Sequence, residues 1–380
     1  MNFNYPMDIK VRVAEYSPLQ KFPLHIGRQN FDCAYQRLMP GSLAKSMDLL
    51  PVGDEWSCRN AHNNSVLSLN SGLFLRANDE RVMIDGKSFA GKLRFQALGD
   101  RILAINEIDL DRYLAGVVNR EMNSSFPAEA MKAQIIAARS YALASLADRK
   151  RASQGVFLYN SEVDQVYEGV DFESSKSRRL VKETLGQVLF QNSDVLKAYY
   201  HASSGGSLDI PSNVWSRNEG KVEAAAYEVK EIPEESEDVN SKWSITLSPL
   251  MGLRWDNLGK IQDIKIVQKS ASQRVKKILI KGEFAKIIVS GADFRKKLGN
   301  RWLKSTLFEI QKKKNSWLIE GRGYGHGVGM SQMGARRMAE RGAKVLEILN
   351  FYYPKSTVGD LRVGASKVDG LAPQLTALLN

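Results

Sequence analysis

Cysteine is scarce in this sequence of 380 residues, which contains only Cys33 and Cys58. Two cysteines are too few for a disulfide scaffold or for a four-cysteine metal site, so both classes are excluded. An oxidising compartment would allow one disulfide between them, whereas a reducing one would leave two thiols. The cysteine count therefore leaves the cellular location open.

Long hydrophobic runs are also missing, because no stretch approaches 18 uninterrupted apolar residues. This excludes a membrane-spanning helix. The opening residues 1–6 lack the basic and apolar regions of a secretory signal peptide, so no export signal is visible. We expect either a trimmed, exported chain or one that stays inside the cell.

Acidic residues are outnumbered, since 42 Asp and Glu stand against 54 Lys and Arg and give a formal net charge of +12. Such an excess favours polyanionic partners such as nucleic acid, an anionic lipid surface or an acidic cell wall. The basic residues are spread along the chain, and local runs such as 295–297 are typical of solvated faces. We therefore expect no nucleic-acid partner.

The hydrophobic periodicity indicates a mixed α+β protein. Ile9, Val11 and Val13 alternate with charged residues, as in a half-buried strand. Similar signals predict strands over 66–69, 73–75, 81–84, 101–105, 187–190, 196–200, 261–267, 277–280 and 286–289. Helical spacing predicts helices over 110–122, 127–149, 331–341 and 344–352. The predicted fold is α+β, with antiparallel sheets and a few helices.

The chain exceeds the length that one hydrophobic core usually supports, so two lobes bordering a substrate cleft are expected. The predicted divisions are a β-rich segment over 1–80, a core over 81–215 and 318–358, an inserted β-rich lobe over 216–317 and a C-terminal tail over 359–380. A polar, acidic stretch lies between Trp215 and Trp243. We interpret that stretch as a surface excursion.

Glu121 is the first candidate for chemistry, because it shares one face of the predicted helix with Leu114 and Val117. Apolar neighbours disfavour the charged form of a carboxyl group and raise its pKa, which suits a proton donor near neutral pH. Alternatively, Glu121 forms a structural ion pair with Arg120 or Arg139. The spacing favours neither interpretation.

Glycines alternate with other residues from Gly321 to Gly329. The run matches neither the dinucleotide-binding fingerprint nor the P-loop, because it lacks Gly at i, i+2 and i+5 and no Gly-Lys-Ser/Thr follows. Alternating glycines let a backbone approach a partner closely, and they leave Tyr324 and His326 as the projecting groups. Such a wall suits a polymeric sugar.

His201 precedes a turn of small residues, Ser203 to Gly206. A single histidine is more often structural than functional. His201 and His326 together offer two metal ligands, but neither cysteine lies in a metal-binding motif. A serine nucleophile at Ser331 or in the turn lacks the Gly-x-Ser-x-Gly elbow that would support it.

Taken together, these motifs resemble one family, the SpoIID (stage II sporulation protein D) and LytB-like peptidoglycan proteins. Order and spacing agree from Val82 to Thr357. The matching motifs are Tyr113 to Val118 with Glu121-Met122, Phe126 to Ala130, Lys132 to Gln134, Ala137 to Ala142, Asp164 to Tyr167, Ala198 to His201, Ser203 to Gly206, Trp215, Gly291 to Arg295, Leu303 to Thr306, Gly321 to Gly329, Met330 to Gln332, Gly334-Ala335 and Tyr352 to Pro354.

The resemblance implies a lytic transglycosylase that cleaves peptidoglycan strands already stripped of stem peptides. It implies that Glu121 is the catalytic residue. The family's other pocket residues fall on Gln165, Tyr167, His201, Tyr324, His326 and Gln332, and the expected glycan-binding set is completed by Arg139, Tyr200, Ser203, Ser204, Arg322 and Ser331. Some members bind zinc through a cysteine in the turn after the histidine, but this chain has Ser203 and Ser204 there. We therefore expect no metal and no cofactor.

A single glutamate is sufficient for this reaction. Hydrolysing glycosidases typically need two carboxyl groups. In a lytic transglycosylase, one Glu protonates the bridging oxygen and then accepts a proton from the sugar's own 6-hydroxyl group, which closes a 1,6-anhydro ring.

Two other functions remain open. Proteins that resemble this family have been described as amidase modifiers, so a non-catalytic wall-binding enhancer of an amidase is the main alternative. A nucleic-acid binder is a distant third, suggested only by the charge. The resemblance implies peptidoglycan strands as the partner, a peptide-stripping amidase as a second one, and a periplasmic or extracellular location.

Overall fold

The computed structural model describes residues 7–17, 19–26, 29–36, 55–69, 74–98, 100–146, 158–160, 164–192, 194–215, 227–232, 235, 238, 241–248, 255 and 257–363. The chain divides into two units. Unit 1 comprises Met1–Ser125, Ala142–Gln187 and Asp360–Asn380, and unit 2 comprises Phe126–Tyr141 and Val188–Gly359.

Unit 1 contains, among its described residues, one nine-stranded sheet. Its strands in chain order are β1 (Asp8–Tyr16), β2 (Phe22–Ile26), β3 (Gln29–Gln36), β4 (Glu55–Asn60), β5 (Val66–Ser68), β6 (Phe74–Ile84), β7 (Lys87–Leu98), β8 (Arg101–Asp109) and β9 (Leu158–Tyr159). The spatial order is β5-β4-β3-β2-β6-β7-β8-β1-β9. Only β1 and β9 run parallel, and the other neighbours are antiparallel.

Cys33 and Cys58 lie directly opposite each other on β3 and β4. Their sulfur atoms form a disulfide bond, and both side chains are fully buried. Of the two alternatives, one disulfide or two thiols, the structure therefore has the disulfide.

Helix α1 (Leu110–Glu121) follows β8 directly. Asp109 caps it, because its side chain accepts a hydrogen bond from the Arg112 N–H group at 3.0 Å. The buried face includes Leu114 and Val117, so the predicted helix and its apolar face are confirmed. The other helices that include residues of unit 1 are α2 (Ala128–Ser145), which both units share, α3 (Ser175–Glu183) and the 3-10 turns Val170–Phe172 and Leu361–Val363.

Unit 2 consists of small sheets and short helices. Its strands are β10 (Gln187–Gln191), β11 (Asp194–Val195), β12 (Tyr200–His201), β13 (Ser207–Leu208), β14 (Lys230–Glu231), β15 (Lys242–Leu247), β16 (Ile261–Lys269), β17 (Val275–Gly282), β18 (Lys286–Ser290), β19 (Phe308–Lys312), β20 (Trp317–Arg322), β21 (Met330–Ser331) and β22 (Thr357–Asp360). Its helices, apart from α2, are α4 (Pro211–Val214), α5 (Gly291–Leu298), α6 (Gln332–Glu340) and α7 (Val345–Tyr352).

Two three-stranded antiparallel sheets, β15-β20-β19 and β16-β17-β18, share one core in unit 2. Trp243, Ile278 and Ile319 from the strands and Phe294 from α5 are buried there. Because side chains alternate across a strand, the neighbours of Trp243 and Ile319 point away from this core. The β15-β20 pair thereby carries an outward row that ends at Arg322.

The predicted α+β class with antiparallel sheets is confirmed. The strand predicted over 196–200 is wrong, because only Tyr200 belongs to a strand there. That segment is held by single hydrogen bonds to separate partners, such as Leu196 N–H to the Leu189 carbonyl, instead of a continuous ladder. The lobes, the cleft and the four predicted divisions stay predictions, and residues 73, 147–149 and 364–380 lie outside the described part. Every described helix is too short or too polar to cross a membrane.

Candidate functional site

Glu121 is the last residue of α1, and its side chain is partly buried. Its Oε1 atom accepts a hydrogen bond from the Val166 N–H group at 3.0 Å. The carboxyl group is thus held in a defined position by the backbone of unit 1.

The segment after Asp164 packs closely on α1. A Cβ atom at Gly116 would lie 3.0 Å from the Gly169 carbonyl oxygen and 3.1 Å from the ring of Tyr167. Glycine at this position therefore lets the segment that carries Val166 approach the helix that carries Glu121.

Gln165 and Tyr167 are brought beside α1 as predicted site residues, but both side chains are fully buried. The Tyr113 hydroxyl donates to Gln165 Oε1 at 3.0 Å, and the Tyr167 hydroxyl donates to Asn106 Oδ1 at 3.2 Å. The rings of Tyr113 and Tyr167 lie 4.9 Å apart. These contacts hold the buried side chains that pack beside the helix of Glu121.

Asp164 is a second carboxylate near this helix. Burial raises the pKa of Tyr113 well above its usual value, and the negative charges of Asp164 and Glu121 raise it further. Asp164 Oδ2 accepts the Tyr159 N–H at 2.8 Å. Asp164 begins the motif Asp164 to Tyr167, in which no role was predicted for it.

Arg120 was one proposed structural partner of Glu121. In the structure Arg120 forms an ion pair with Glu168 and lies near the ring of Phe172. The other proposed partner, Arg139, is fully buried in α2 within the part assigned to unit 2.

The glycine-rich run lies in unit 2 against the turn that follows His201. Gly323, Gly325, Gly327 and Gly329 all have positive φ angles, between 71° and 114°. A Cβ atom at Gly325 would lie 2.7 Å from His201 Cβ. The close partner that the alternating glycines accommodate is therefore the protein's own chain.

Two backbone hydrogen bonds join this run to the serine turn. The Ser203 N–H donates to the Tyr324 carbonyl at 3.0 Å, and the Tyr324 N–H donates to the Ser203 carbonyl at 2.9 Å. Tyr324 nevertheless keeps 38% of its side chain exposed. Arg322 is also exposed, so these two side chains of the run are available to a ligand.

His201 and His326 lie with ring centroids 5.4 Å apart. His201 Nδ1 bonds to the Val328 carbonyl at 3.1 Å, and His326 Nδ1 accepts the Val328 N–H at 3.0 Å. A carbonyl oxygen only accepts, so the His201 proton is on Nδ1 and its Nε2 is an unprotonated acceptor. That buried Nε2 atom has no hydrogen-bond partner among the described residues.

Both imidazoles are uncharged at neutral pH. Burial, with Arg295 and Arg274 nearby, lowers the pKa of His326 from 6.5 to about 3. Burial also holds the pKa of His201 well below its usual value, with further contributions from His326 and Arg274. The charged groups behind the glycine-rich run are therefore arginines and carboxylates, among them Arg274, Asp209 and Glu235, and not the histidines.

Arg274 is one of these buried charges, and it lies outside every motif recognised in the sequence. It is almost fully buried, and its Nη2 atom donates to the carbonyls of Ser204 at 2.7 Å and Ser207 at 3.0 Å. Burial lowers its pKa to about 10. No simple sequence signal distinguishes Arg274 from the many surface arginines.

Glu235 is the second residue that sequence reasoning missed. It is only 1% exposed, although it belongs to the acidic stretch that was interpreted as a surface excursion, so that interpretation is wrong for this residue. Its Oε2 atom accepts from Ser204 Oγ at 2.9 Å, Ser331 Oγ at 2.8 Å and the Ser204 N–H at 3.0 Å, with Ser203 Oγ more distant at 3.4 Å. The carboxylate joins the serine turn to β21.

The serine hydroxyl groups that were weighed as nucleophiles therefore bond to a carboxylate, and among the described residues none of these bonds involves a histidine. The same arrangement bears on zinc, because neutral hydroxyls of Ser203 and Ser204 stand where zinc-binding relatives carry cysteine. Zinc takes Cys, His, Asp or Glu ligands. Within the described residues no three such side chains cluster to hold a metal ion, and the serine turn does not fit a zinc site.

The remaining predicted residues line the same region of unit 2. Tyr200 on β12 pairs with Met330 on β21 and is partly buried. Gln332 begins α6 and is 6% exposed. Trp215 lies beside His326 with ring centroids 5.1 Å apart. Unit 2 thus gathers its predicted residues around the serine turn, and unit 1 gathers Glu121, Gln165 and Tyr167.

Comparison with known proteins gives two family matches. The model described as Stage II sporulation protein matches residues 99–190, which include α1, α2 and the Asp164 segment. A domain of unknown function matches residues 237–329, which include β15 to β20 and the whole glycine-rich run.

Three curated relatives are similar to this chain. The Amidase enhancer of Bacillus subtilis (strain 168) is 27% identical over 337 residues, which cover 74% of this chain and 45% of the relative. Stage II sporulation protein D of Bacillus subtilis (strain 168) is 27% identical over 277 residues, covering 68% of this chain and 76% of the relative. Stage II sporulation protein D of Bacillus amyloliquefaciens is 31% identical over 268 residues, covering 66% and 74%. The chain spans less than half the length of the Amidase enhancer.

Proposed function

This chain belongs to the Stage II sporulation protein D family, and from that premise we propose that it is a peptidoglycan lytic transglycosylase. The proposed substrate is a glycan strand stripped of its stem peptides, cleaved between N-acetylmuramic acid and N-acetylglucosamine. The observation that carries the proposal is the carboxyl group of Glu121, partly buried at the end of α1 and held by the Val166 N–H.

In the proposed reaction, the protonated Glu121 gives its proton to the glycosidic oxygen as the bond from that oxygen to C1 of the muramic sugar breaks. The 6-hydroxyl oxygen of the same sugar then forms a bond to C1, and its proton passes to the Glu121 carboxylate. The products are a free hydroxyl end and a 1,6-anhydro end. Glu121 returns to its protonated form, so one carboxyl group completes the cycle.

The intramolecular attack explains why a second catalytic carboxylate is not required. A well-oriented internal nucleophile lowers the barrier by up to roughly 7–11 kcal/mol relative to attack by a free water molecule. The neighbouring N-acetyl group can stabilise the positive charge that develops at C1. The protein's task is then to hold the sugar and one proton carrier in place.

We assign two roles to the other predicted residues. Arg322 and Tyr324 have exposed side chains and are proposed to contact glycan directly. The buried side chains are proposed to hold the loops that present the site. They are Arg139, Gln165, Tyr167, His201, Ser203, Ser204, Ser331 and Gln332.

A location outside the cytoplasm, in the periplasm or at the cell wall, is part of the proposal. The Cys33–Cys58 disulfide supports it, because such bonds persist mainly in oxidising compartments. The net charge of +12 supports attraction to an acidic wall. A wall amidase that removes stem peptides is the proposed partner enzyme.

The test is digestion of purified denuded glycan by wild-type protein and by Glu121→Gln, with products identified by mass spectrometry. Anhydro-disaccharides are expected from wild type and not from Glu121→Gln. The control is Glu183→Gln, a similar change at an exposed residue of α3, which should keep wild-type activity. Equal release of anhydro products by wild type and Glu121→Gln would reject the assignment.

The second candidate function is enhancement of a separate amidase, which the name of one relative suggests. In that case the protein would bind sacculi without releasing soluble glycan, and it would stimulate an added amidase. Measuring amidase rates with wild type and Glu121→Gln separates the two functions, because an enhancer does not need the acid.

A further inference from the structure

Two cations lie side by side at the end of the β15-β20 pair. Lys242 and Arg322 are directly opposite each other in the antiparallel register, and both side chains are exposed. Directly opposed residues have Cβ atoms about 4.5–5.5 Å apart on the same face of a sheet, and like charges in this arrangement repel. An anion bound between the two side chains would relieve that repulsion.

No acidic side chain among the described residues forms an ion pair with Lys242 or Arg322. Glu320 lies two residues before Arg322 on the same outward face, yet it forms no ion pair with either cation. The positive charge of the pair is consequently available to a ligand.

The residues beside the pair suit the binding of a sugar. Tyr324 is two residues after Arg322, within about 7 Å along the chain. Its side chain is exposed, although its N–H and carbonyl groups both form hydrogen bonds with the backbone of Ser203. The Gly323 carbonyl between them accepts the Trp243 indole N–H at 3.0 Å. An aromatic ring on such a fixed backbone offers a flat surface to a pyranose ring.

The buried charges of the same unit do not supply this positive charge. The guanidinium of Arg274 lies in the field of two buried carboxylates, Asp209 and Glu235. The charge offered to a ligand at this surface is therefore that of Lys242 and Arg322. An uncharged sugar polymer would gain nothing from these two cations, whereas an anionic one would.

We propose that Lys242 and Arg322 bind the lactyl carboxylate of muramic acid residues from which the stem peptide has been removed. This inference rests on the proposed function and names the group that the site recognises. On an intact strand that carboxyl group is tied up in an amide bond and carries no charge. Removal of the peptide frees a carboxylate, which Arg322 binds through charge-assisted hydrogen bonds while Tyr324 contacts the sugar ring.

The test measures binding of two probes to the full chain carrying Glu121→Gln, which prevents cleavage during the measurement. One probe is denuded glycan, and the other is the same glycan with its carboxyl groups converted to neutral amides by carbodiimide and ethanolamine. Strands with stem peptides are unsuitable as the neutral probe, because the peptides add carboxylates of their own. Native strands are expected to bind about tenfold more tightly than amidated strands.

The variant is Lys242→Ala with Arg322→Ala, which should bind both probes with the affinity of the amidated strands. Its matched control is Lys281→Ala with Lys286→Ala, an exposed and directly opposed lysine pair of the β17-β18 hairpin in the same unit. That control should keep the tenfold preference. Because all four side chains are exposed, unchanged thermal unfolding is expected and is checked for each protein.

Three results would overturn the inference: equal binding of both probes before substitution, a preference that survives in the Lys242 and Arg322 variant, or equal loss in the control pair. These outcomes are independent of the product analysis with Glu121→Gln. A failed carboxylate preference leaves the proposed transglycosylase intact, and a Glu121→Gln protein that still releases anhydro products rejects the catalytic assignment whichever probe binds more tightly.

Discussion

Replacing Glu235 with alanine is expected to destabilise unit 2 strongly. The buried Oε2 atom accepts from two serine hydroxyls at 2.8–2.9 Å and from one peptide N–H at 3.0 Å. Alanine removes the acceptor of all three hydrogen bonds at once, and the site is too buried for water to replace it freely.

The magnitude follows from those three donors. Each buried donor without an acceptor costs about 1–3 kcal/mol. Part of that cost is offset because a buried carboxylate is removed, one of whose oxygens, Oε1, has no hydrogen-bond partner among the described residues. Removing one partner of a buried charged network usually costs about 3–5 kcal/mol, which we expect for Glu235→Ala. Glu235→Gln keeps one acceptor oxygen and should cost roughly 1 kcal/mol.

The assay is urea and thermal unfolding at pH 7, followed by tryptophan fluorescence. Glu231→Ala is the control, because Glu231 belongs to the same acidic stretch and is exposed; its effect should stay within about 0.5 kcal/mol. For a unit of this size, 3–5 kcal/mol corresponds to roughly a 10 °C fall in unfolding temperature. Equal unfolding temperatures for Glu235→Ala and Glu231→Ala would refute the reasoning.

Two further predictions concern the glycine-rich run and its surroundings. Because the pKa of His326 is lowered from 6.5 to about 3, the unfolded state binds the extra proton, so stability falls as the pH drops from about 6.5 toward 3. Wild type should lose about 2 kcal/mol more than His326→Gln between pH 7 and pH 5 in urea unfolding, and identical losses would contradict this. An alanine Cβ at Gly329 would overlap the Tyr199 carbonyl oxygen at a φ of +71°, whereas Gly342 at +96° has open space around it. Gly329→Ala should therefore lower the free energy of unfolding by roughly 3 kcal/mol or more, and Gly342→Ala by only about 1 kcal/mol, as measured by thermal unfolding. Equal losses for the two variants would show that the close contact at Gly329 is unimportant.

Local sequence patterns predicted the elements that depend on local physics. Helix α1 follows from apolar residues at helical spacing, and it begins and ends within one residue of the prediction. The strands β16, β17 and β18 follow from alternation between turn residues. The segment 196–200 misled the prediction, because its apolar residues are buried without a strand ladder.

Candidate site residues could be identified from the sequence where they belong to a recognised motif. They were missed where only contacts with residues far away in the chain give them a role. The motif at 164–167 led to Gln165 and Tyr167, which the structure packs beside the Glu121 helix. Glu235 was overlooked because it lies in a polar, acidic stretch, where an individual buried carboxylate looks like its exposed neighbours. Lys242 was not a candidate from the sequence, because only the strand register places it opposite Arg322.

The sequence by itself determined the α+β class, the family, the helix that ends at Glu121 and the absence of side chains at alternate positions of the glycine-rich run. These features depend on periodicity and on residue type, which the chain carries directly. The tertiary structure alone decided what the glycines approach, which serines meet Glu235, and where two cations are placed side by side. Such contacts join residues tens of positions apart, and their energies depend on burial and on the alignment of strands, which a linear sequence does not display.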